Sequence, residues 1–274
     1  MTPTTENNYP NVAQSWGIAG IIVGLSLVFT PVLMLLTNPL GKEAATFSYY
    51  LCATGLSFLI AHRLRSNKTG QKSYPIHKIP AIVLLLSAMG IMALQTGITS
   101  PLIELMPHGN FYDMMMNEML GMNGFWSFFS MVIAAPILEE LLMRGIILDG
   151  LLKKYSPVKA IVLSSFLFGL IHLNPWQFVG AFFFGAFVGW IYYRTHNLLI
   201  TILLHAINNG TAFVSGLVMD KETATQPLVE FYGGWLNTIL ITFVAILVAA
   251  ASIYFLWNEF KKTPPEDATV ALAS

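Results

Sequence analysis

Two adjacent glutamates and an arginine lie within one of the most apolar stretches of this sequence. Residues 135–145 read Ala-Pro-Ile-Leu-Glu-Glu-Leu-Leu-Met-Arg-Gly, in a run long enough to cross a bilayer. An isolated charge at mid-membrane costs from about 2.5 to more than 10 kcal/mol, so ionisable residues there pair up or face a functional cavity. Glu140 and Arg144 are four residues apart, which predicts an ion pair along one helix face. Glu139 points away from this pair, so the helix alone leaves its carboxylate free for chemistry.

Two of the six histidines also fall in apolar segments, whereas the other four lie in loops or at helix ends. His172 ends the stretch Phe168-Gly-Leu-Ile-His172, and His205 begins the stretch His205-Ala-Ile-Asn-Asn209. A lone histidine on an apolar helix is more often a hydrogen-bonded core residue than a ligand. Here, however, a rise of about 1.5 Å per residue puts Glu139 and both stretches roughly 10 to 20 Å from the cytoplasmic side. These side chains can therefore converge on one cavity inside the membrane.

The chemistry that such a cavity could support is amide hydrolysis. That reaction needs a base for water, a donor for the tetrahedral oxyanion and a proton for the leaving amine. Glu139 suits the base and later the acid. His205 and Asn209 are one helical turn apart and offer hydrogen-bond donors on one face. Ser164 and Ser165 lie in ordinary packing contexts, so we expect structural roles for them.

A zinc site is the alternative use of the same residues. Two histidines and a glutamate with one open position form a catalytic zinc ligand set, here Glu139, His172 and His205. The helical motif His-Glu-x-x-His is absent from the sequence. Catalysis by glutamate without a metal is favoured, because Asn209 suits an oxyanion but is a poor zinc ligand. We therefore expect no cofactor, with zinc as the alternative.

The elements that must position these residues are transmembrane helices. The chain has 274 residues, of which 55% are hydrophobic and 10% charged, and its mean hydropathy is +0.64. A soluble domain has roughly 25% charged residues, so the composition predicts an integral membrane protein. Only helices satisfy so much apolar backbone in lipid without a barrel pattern. We expect an all-α bundle of about eight helices, at residues 16–37, 44–62, 80–98, 125–148, 158–173, 177–193, 198–217 and 234–257.

The short connections between these segments predict one bundle over residues 16–257 with no separate soluble domain. Residues 1–15 are expected to form a cytoplasmic N-terminal segment, and residues 258–274 a disordered cytoplasmic tail. The single cysteine, Cys52, excludes an intramolecular disulfide and is expected to be a small buried core residue.

The distribution of lysine and arginine predicts the orientation of the bundle. Residues 63–79 contain five of these residues and residues 149–160 contain three, whereas the opposite connections contain only Lys42 and Lys221. Cytoplasmic loops carry the excess of positive charge. Both termini are therefore expected in the cytoplasm, and the expected location is the plasma membrane of a prokaryote.

Two further patterns predict packing rather than chemistry. Residues 99–124 contain six of the thirteen methionines, and we expect this outer connection to lie at the membrane interface. Its methionines could instead contact a peptide or cover a cavity. Gly185 and Gly189 form a Gly-x-x-x-Gly spacing, which predicts close helix packing inside the bundle.

Three motifs in this order resemble those of a known family. They are Glu139-Glu140-x-x-x-Arg144, Phe168-x-x-x-His172 and His205-x-x-x-Asn209. Together they resemble the CPBP family of intramembrane peptidases, also called ABI, which includes CAAX prenyl proteases and bacteriocin-processing or immunity proteins. The resemblance covers roughly residues 125–215, the expected peptidase core. It implies that Glu139 and His172 activate a water and that His205 and Asn209 stabilise the oxyanion. It also implies that Glu140 and Arg144 support the site, in which Phe168 belongs to the second motif.

The expected substrate is a membrane-anchored peptide or protein, so the partners are membrane lipid and that substrate. A nucleic-acid partner is not expected, because no basic patch stands out and positive and negative charges balance at 14 each. One alternative function is a proton- or metal-coupled transporter that uses Glu139, His172 and His205 as a relay. Another is a catalytically silent immunity or scaffold protein of the same fold. The sequence does not determine the oligomeric state.

Overall fold

A computed structural model describes residues 8–262, which form eleven helices. The long helices are α1 (Val12–Leu40), α2 (Lys42–Thr69), α3 (Ala81–Glu104), α5 (125–152), α6 (Pro157–Leu170), α7 (Pro175–Thr195), α8 (Leu198–Val218) and α11 (Trp235–Lys262). The short ones are α4 (Asn110–Leu120), α9 (Lys221–Thr225) and α10 (Leu228–Phe231). The described part of the chain contains no strand, so the predicted all-α class is confirmed.

The predicted number of eight helices is not confirmed. Each predicted segment corresponds to one long helix, and α4, α9 and α10 lie in the connections between the predicted segments. Five helices are both long and apolar enough to cross a membrane, namely α1, α2, α3, α8 and α11. The structure therefore supports an integral membrane protein with several spans.

Helix α5 lies at the centre of the bundle and carries the first motif. It contacts α2, α6, α7 and α8, while α1 packs on α2, α6 on α7, and α3 on α11. Every residue from 142 to 148 is buried. A helix that is buried on all sides must be apolar on all sides, and the exception here is Arg144, which is 1% exposed.

Two π-helical segments interrupt α5 on either side of the two glutamates. They span Phe129–Ala134 and Met143–Leu148, and the α-helical turns of Ala135–Leu142 lie between them. Pro136 contributes to the first interruption because proline has no N–H to donate to the helix. Single π-helical turns occur often at functional sites. In α5 they change the direction of the side chains on either side of Glu139 and Glu140.

The connections rich in lysine and arginine meet at one end of the bundle. Arg65 of α2 donates to the carbonyls of Gln71 and Ser73 and lies 3.8 Å from the carboxylate of Asp149 in α5. Burial raises the pKa of the Tyr74 phenol to about 12. Its hydroxyl therefore stays protonated at physiological pH while it hydrogen-bonds to a ring nitrogen of a histidine in α2.

The opposite end carries the methionine-rich connection, part of which folds as α4. No residue of α4 is buried. The Glu43 carboxylate accepts a hydrogen bond from the Gly124 N–H at 2.8 Å, and Lys42 forms an exposed ion pair with Glu118 at 3.0 Å. Five methionines line a cavity of about 220 Å³ at this end, namely Met116 and Met119 of α4, Met122 just after α4, Met131 of α5 and Met219 just after α8.

The expectation for Cys52 was wrong. Cys52 is exposed rather than buried, because it lies on a face of α2 that no other helix covers, next to the exposed Leu51. The helices also extend beyond the apolar runs: α1 begins at Val12, where Asn11 caps it, and α11 continues to Lys262. The rest of the expected tail, residues 263–274, lies outside the described residues, as do residues 1–7.

The glycine pair of α7 packs closely inside the bundle, as predicted. A Cβ atom on Gly185 would lie 3.2 Å from the Cα atom of Ser165 in α6, and one on Gly189 would lie 3.4 Å from side-chain carbons of Ile161 and Leu148. This close approach brings the Gly185 carbonyl within 3.1 Å of the Arg144 guanidinium. Packing of α7 against α6 thus also helps to hold a motif residue.

Replacing Gly185 by leucine is therefore expected to destabilise the bundle. Forcing a large side chain into a packed interior typically costs about 1 to 3 kcal/mol. Thermal unfolding in detergent measures the loss, and Gly24→Leu is the matched control, because nothing lies within 4 Å of a Cβ at Gly24. Equal melting temperatures for the two variants would contradict the prediction.

Candidate active site

The expected ion pair between Glu140 and Arg144 is present. The Arg144 Nη1 donates to Oε1 of Glu140 at 2.7 Å, and the two side chains are 1% and 0% exposed. The second guanidinium nitrogen donates to the Gly185 carbonyl. The guanidinium carbon also lies 4.9 Å from the ring centroid of Phe168 and 5.8 Å from that of Phe184. Cation–π contacts of this kind add stability when the cation is desolvated.

His205 links the two glutamates. Its Nδ1 lies 2.9 Å from the same Glu140 oxygen, and its Nε2 lies 3.8 Å from Oε2 of Glu139. Because a carboxylate can only accept, the Nδ1 carries the proton in this contact. The other ring nitrogen then faces Glu139, so Glu140 fixes both the orientation and the tautomer of the imidazole.

Glu139 is not without a partner, contrary to the expectation from helix geometry. The hydroxyl of Tyr50 in α2 donates to its Oε1 at 2.8 Å. Tyr50 is a site residue that the motifs did not reveal. Its predicted span also contains Tyr49, Thr54 and Ser57, so the phenol did not stand out, and nothing in the sequence connects that span with Glu139.

Glu139 and His172 line one cavity of about 170 Å³. The cavity lies between α1, α2 and α5 and also includes Tyr49, Tyr50 and Thr54. The Nδ1 of His172 lies 2.7 Å from the Phe168 carbonyl, which can only accept. The proton is therefore on Nδ1, and the other ring nitrogen is left as an acceptor. A glutamate and a histidine that share a cavity could together hold a water molecule.

His172 lies just beyond a helix rather than inside one. Helix α6 ends at Leu170, whereas the predicted segment extended to residue 173. Pro175 disfavours helical geometry at the residue before it, and that residue, Asn174, caps α7 instead. The change of direction turns His172 towards the cavity.

Phe168 lies between polar residues of all three motifs, namely Arg144, His172 and His205. Its ring centroid is 5.1 Å from that of His172 and 5.8 Å from that of His205, with both rings edge-on. It also packs on Arg144. The ring thus separates the two imidazoles and restricts where each can point.

The side-chain amide of Asn209 is hydrogen-bonded to residues outside the predicted catalytic set. Its Nδ2 donates to the Met131 carbonyl at 2.9 Å, and its Oδ1 accepts from Asn208. The Ala135 N–H donates to the Ser130 carbonyl, and residue 136 is a proline, which has no N–H to donate. The Met131 carbonyl is therefore free to accept a hydrogen bond from a side chain. In the described part of the chain, no side-chain hydrogen bond links Asn209 to the other three predicted catalytic residues. Asn209 therefore supports the π-helical segment that precedes the two glutamates.

The alternative zinc ligand set is not assembled in this arrangement. In residues 8–262, no three His, Cys, Asp or Glu side chains are grouped so that they could hold a metal ion. Of the predicted ligands, Nε2 of His205 and Oε2 of Glu139 lie 3.8 Å apart.

A helical membrane protein with a polar site among its central helices is the class that this geometry defines. Residues 121–211, from the residues just before α5 into α8, match the family model described as Type II CAAX prenyl endopeptidase Rce1-like. The match confirms the resemblance to the CPBP and CAAX protease family, and this region includes all three motifs. Comparisons with curated proteins and with solved structures found no match. Together, the family match and the apolar helices support an intramembrane peptidase.

Proposed function

We propose that this protein is an intramembrane endopeptidase that hydrolyses a peptide bond of a membrane-associated peptide or protein. The observation that carries the proposal is the position of Glu139. Its carboxylate shares a cavity with His172 and lies 3.8 Å from His205, within the region that matches the family. A carboxylate and two imidazoles supply the acid–base groups that amide hydrolysis needs.

In the proposed reaction, Glu139 and His172 hold a water molecule beside the scissile carbonyl. The water oxygen forms a bond to the carbonyl carbon while its proton passes to the Glu139 carboxylate. His205 donates from Nε2 to the oxyanion, for which its ring carries both protons, while Asn209 holds the π-helical segment before the two glutamates through the Met131 carbonyl. The carbon–nitrogen bond then breaks, and the leaving amine takes the proton from Glu139.

Glu140, Arg144 and Phe168 act as the supporting residues. Glu140 accepts from both His205 and Arg144 through one oxygen, so the imidazole and the guanidinium are held by the same carboxylate. Residues that lock a reactive side chain in one geometry contribute to catalysis without contacting the substrate.

The proposed substrate reaches the site from the cytoplasmic side, and both termini of the chain are cytoplasmic. The excess of lysine and arginine at one end of the bundle supports this orientation. A CAAX-type protein tail and a processed bacteriocin-like peptide are the two substrate classes that the family suggests. The proposed location is the plasma membrane of a prokaryote.

Quantitative comparison of peptide termini tests the proposal. Membranes from cells that produce the wild-type protein should contain new termini that are missing when Glu139→Gln replaces it. A transporter would instead lose ion flux in that variant, and a silent scaffold protein would lose neither flux nor cleavage. Either of these results would replace the proposed function.

Cleavage is further expected to survive metal removal. Because Glu139 and the two histidines act directly in the proposed reaction, treatment with a chelator should leave the rate unchanged. Elemental analysis of the purified protein should show no stoichiometric zinc. About one equivalent of zinc, lost in His205→Ala together with chelator-sensitive activity, would show that the same residues bind a metal.

A further inference from the structure

We infer that Tyr50 is a positioning residue for the proposed hydrolysis, acting through Glu139. This inference rests on the proposed function. Tyr50 lies in α2, outside the region that matches the family. It lies 89 positions before Glu139 in the chain, yet its hydroxyl donates to Oε1 of that carboxylate at 2.8 Å.

The hydrogen bond divides the two oxygens of Glu139 between two neighbours. Oε1 accepts from Tyr50, and Oε2 faces Nε2 of His205. A carboxylate with one oxygen held in this way cannot rotate freely, so the other oxygen keeps its direction. The phenol thus selects which oxygen is presented to a water molecule and which is not.

The bond also supplies a hydrogen-bond donor to the carboxylate of the proposed base. A donor to a carboxylate favours its charged form, and the reaction needs that form at the first step. The other titratable or charged side chains around Glu139 come from three places. They are Glu140 and Arg144 on its own helix, His205 on α8, and His172 after α6. From α2, Tyr50 contacts Glu139 directly and Tyr49 lines the same cavity.

The neighbouring Tyr49 provides a matched control. It lines the same cavity, but its hydroxyl donates to the Ser26 carbonyl of α1 at 3.0 Å instead of to Glu139. Tyr49→Phe and Tyr50→Phe each remove one partly buried, hydrogen-bonded hydroxyl, and the two positions are adjacent in the chain. Only the second removes a hydrogen bond to the proposed base.

The first experiment compares the rate at which wild-type-dependent peptide termini appear in solubilised membranes as a function of pH. Losing a hydrogen bond to a charged group raises the activation barrier enough to slow a reaction roughly tenfold or more. The rate in Tyr50→Phe should therefore fall by about that factor. The acidic limb of its pH profile should also move to higher pH. Tyr49→Phe should keep both the rate and the profile, because its lost bond does not involve Glu139.

A wild-type rate and an unchanged pH profile in Tyr50→Phe would overturn the inference. So would the same loss and the same profile in both tyrosine variants, because the cavity would then respond to general packing. A lower rate with no movement of the acidic limb would also count against an action through Glu139.

The second experiment needs no activity and separates this inference from the proposed function. Melting temperatures in detergent are compared for Tyr50→Phe, Glu139→Ala and the double variant. The two changes should be non-additive, because each removes the same hydrogen bond. Additive losses would refute the contact itself. Non-additive losses without any wild-type cleavage would instead show that the proposed function fails, and the positioning role with it, although the contact is real.

Discussion

Replacing Glu139 by glutamine is expected to abolish peptide-bond hydrolysis while leaving an inserted, folded protein. Glutamine has the shape of glutamate and can still accept the hydrogen bond from Tyr50, but it cannot take a proton from water. Loss of a general base costs on the order of 10²-fold or more in rate. The measurement is the appearance of wild-type-dependent peptide termini, with the amount of folded protein determined by size-exclusion chromatography.

Glu118→Gln is the matched control for this variant. Glu118 lies on the surface helix α4, its side chain is 61% exposed and it pairs only with Lys42. The same charge is removed far from the cavity, so activity should be retained. His172→Ala should resemble Glu139→Gln, since both residues line the cavity. Hydrolysis near the wild-type rate in either cavity variant, with contaminating proteases excluded, would refute the assignment.

The sequence predicted the parts of the site that depend on contacts within one helix. The spacing of Glu140 and Arg144 predicted an ion pair, and the structure shows one at 2.7 Å. The helical period applies as long as the helix stays regular. The apolar runs also located the long helices, since the thickness of the bilayer sets their length.

Contacts between distant segments could not be predicted from the sequence. Tyr50 and Glu139 meet because α2 packs on α5, and no spacing in the chain reports on that packing. The π-helical segments were missed for a related reason. Pro136 was visible, but the turns that it accompanies depend on a donor from α8, which Asn209 supplies to the Met131 carbonyl. Hydropathy describes how apolar a segment is and does not report which carbonyls lose their helical partners.

The end of α6 was predictable in principle. Asn174 and Pro175 are a capping residue followed by a residue favoured at the first helical position, which together indicate a new helix. Because the apolar run continues to residue 173, the preceding helix was predicted to include His172. The capping signal was more informative than hydropathy at this position, and it determines where a proposed catalytic residue points.

Arg144→Ala is expected to destabilise the protein strongly. The substitution leaves the Glu140 carboxylate, which is 0% exposed, with one oxygen that has lost a charged partner and another that has no hydrogen-bond partner in the structure. Removing one partner of a buried ion pair typically costs about 3 to 5 kcal/mol. The loss should appear as a lower melting temperature and a lower yield in detergent.

Lys153→Ala is the matched control for that variant. Lys153, the residue just after α5, forms an ion pair with Asp149 at the same 2.7 Å distance and the same spacing of four residues, but the lysine side chain is 30% exposed. Pairs that remain in contact with solvent are worth about 0 to 1 kcal/mol. A large difference between the two variants would therefore measure the effect of burial on the same interaction.

Removal of both charges separates a structural pair from a catalytic one. Replacing a buried ion pair by apolar side chains of similar volume is often close to neutral, so Glu140→Met with Arg144→Met should be more stable than Arg144→Ala. Its activity should stay low, because His205 loses the carboxylate that holds its Nδ1. If Arg144→Ala is as stable as the wild type yet inactive, the guanidinium acts in the reaction and the pair is not mainly structural.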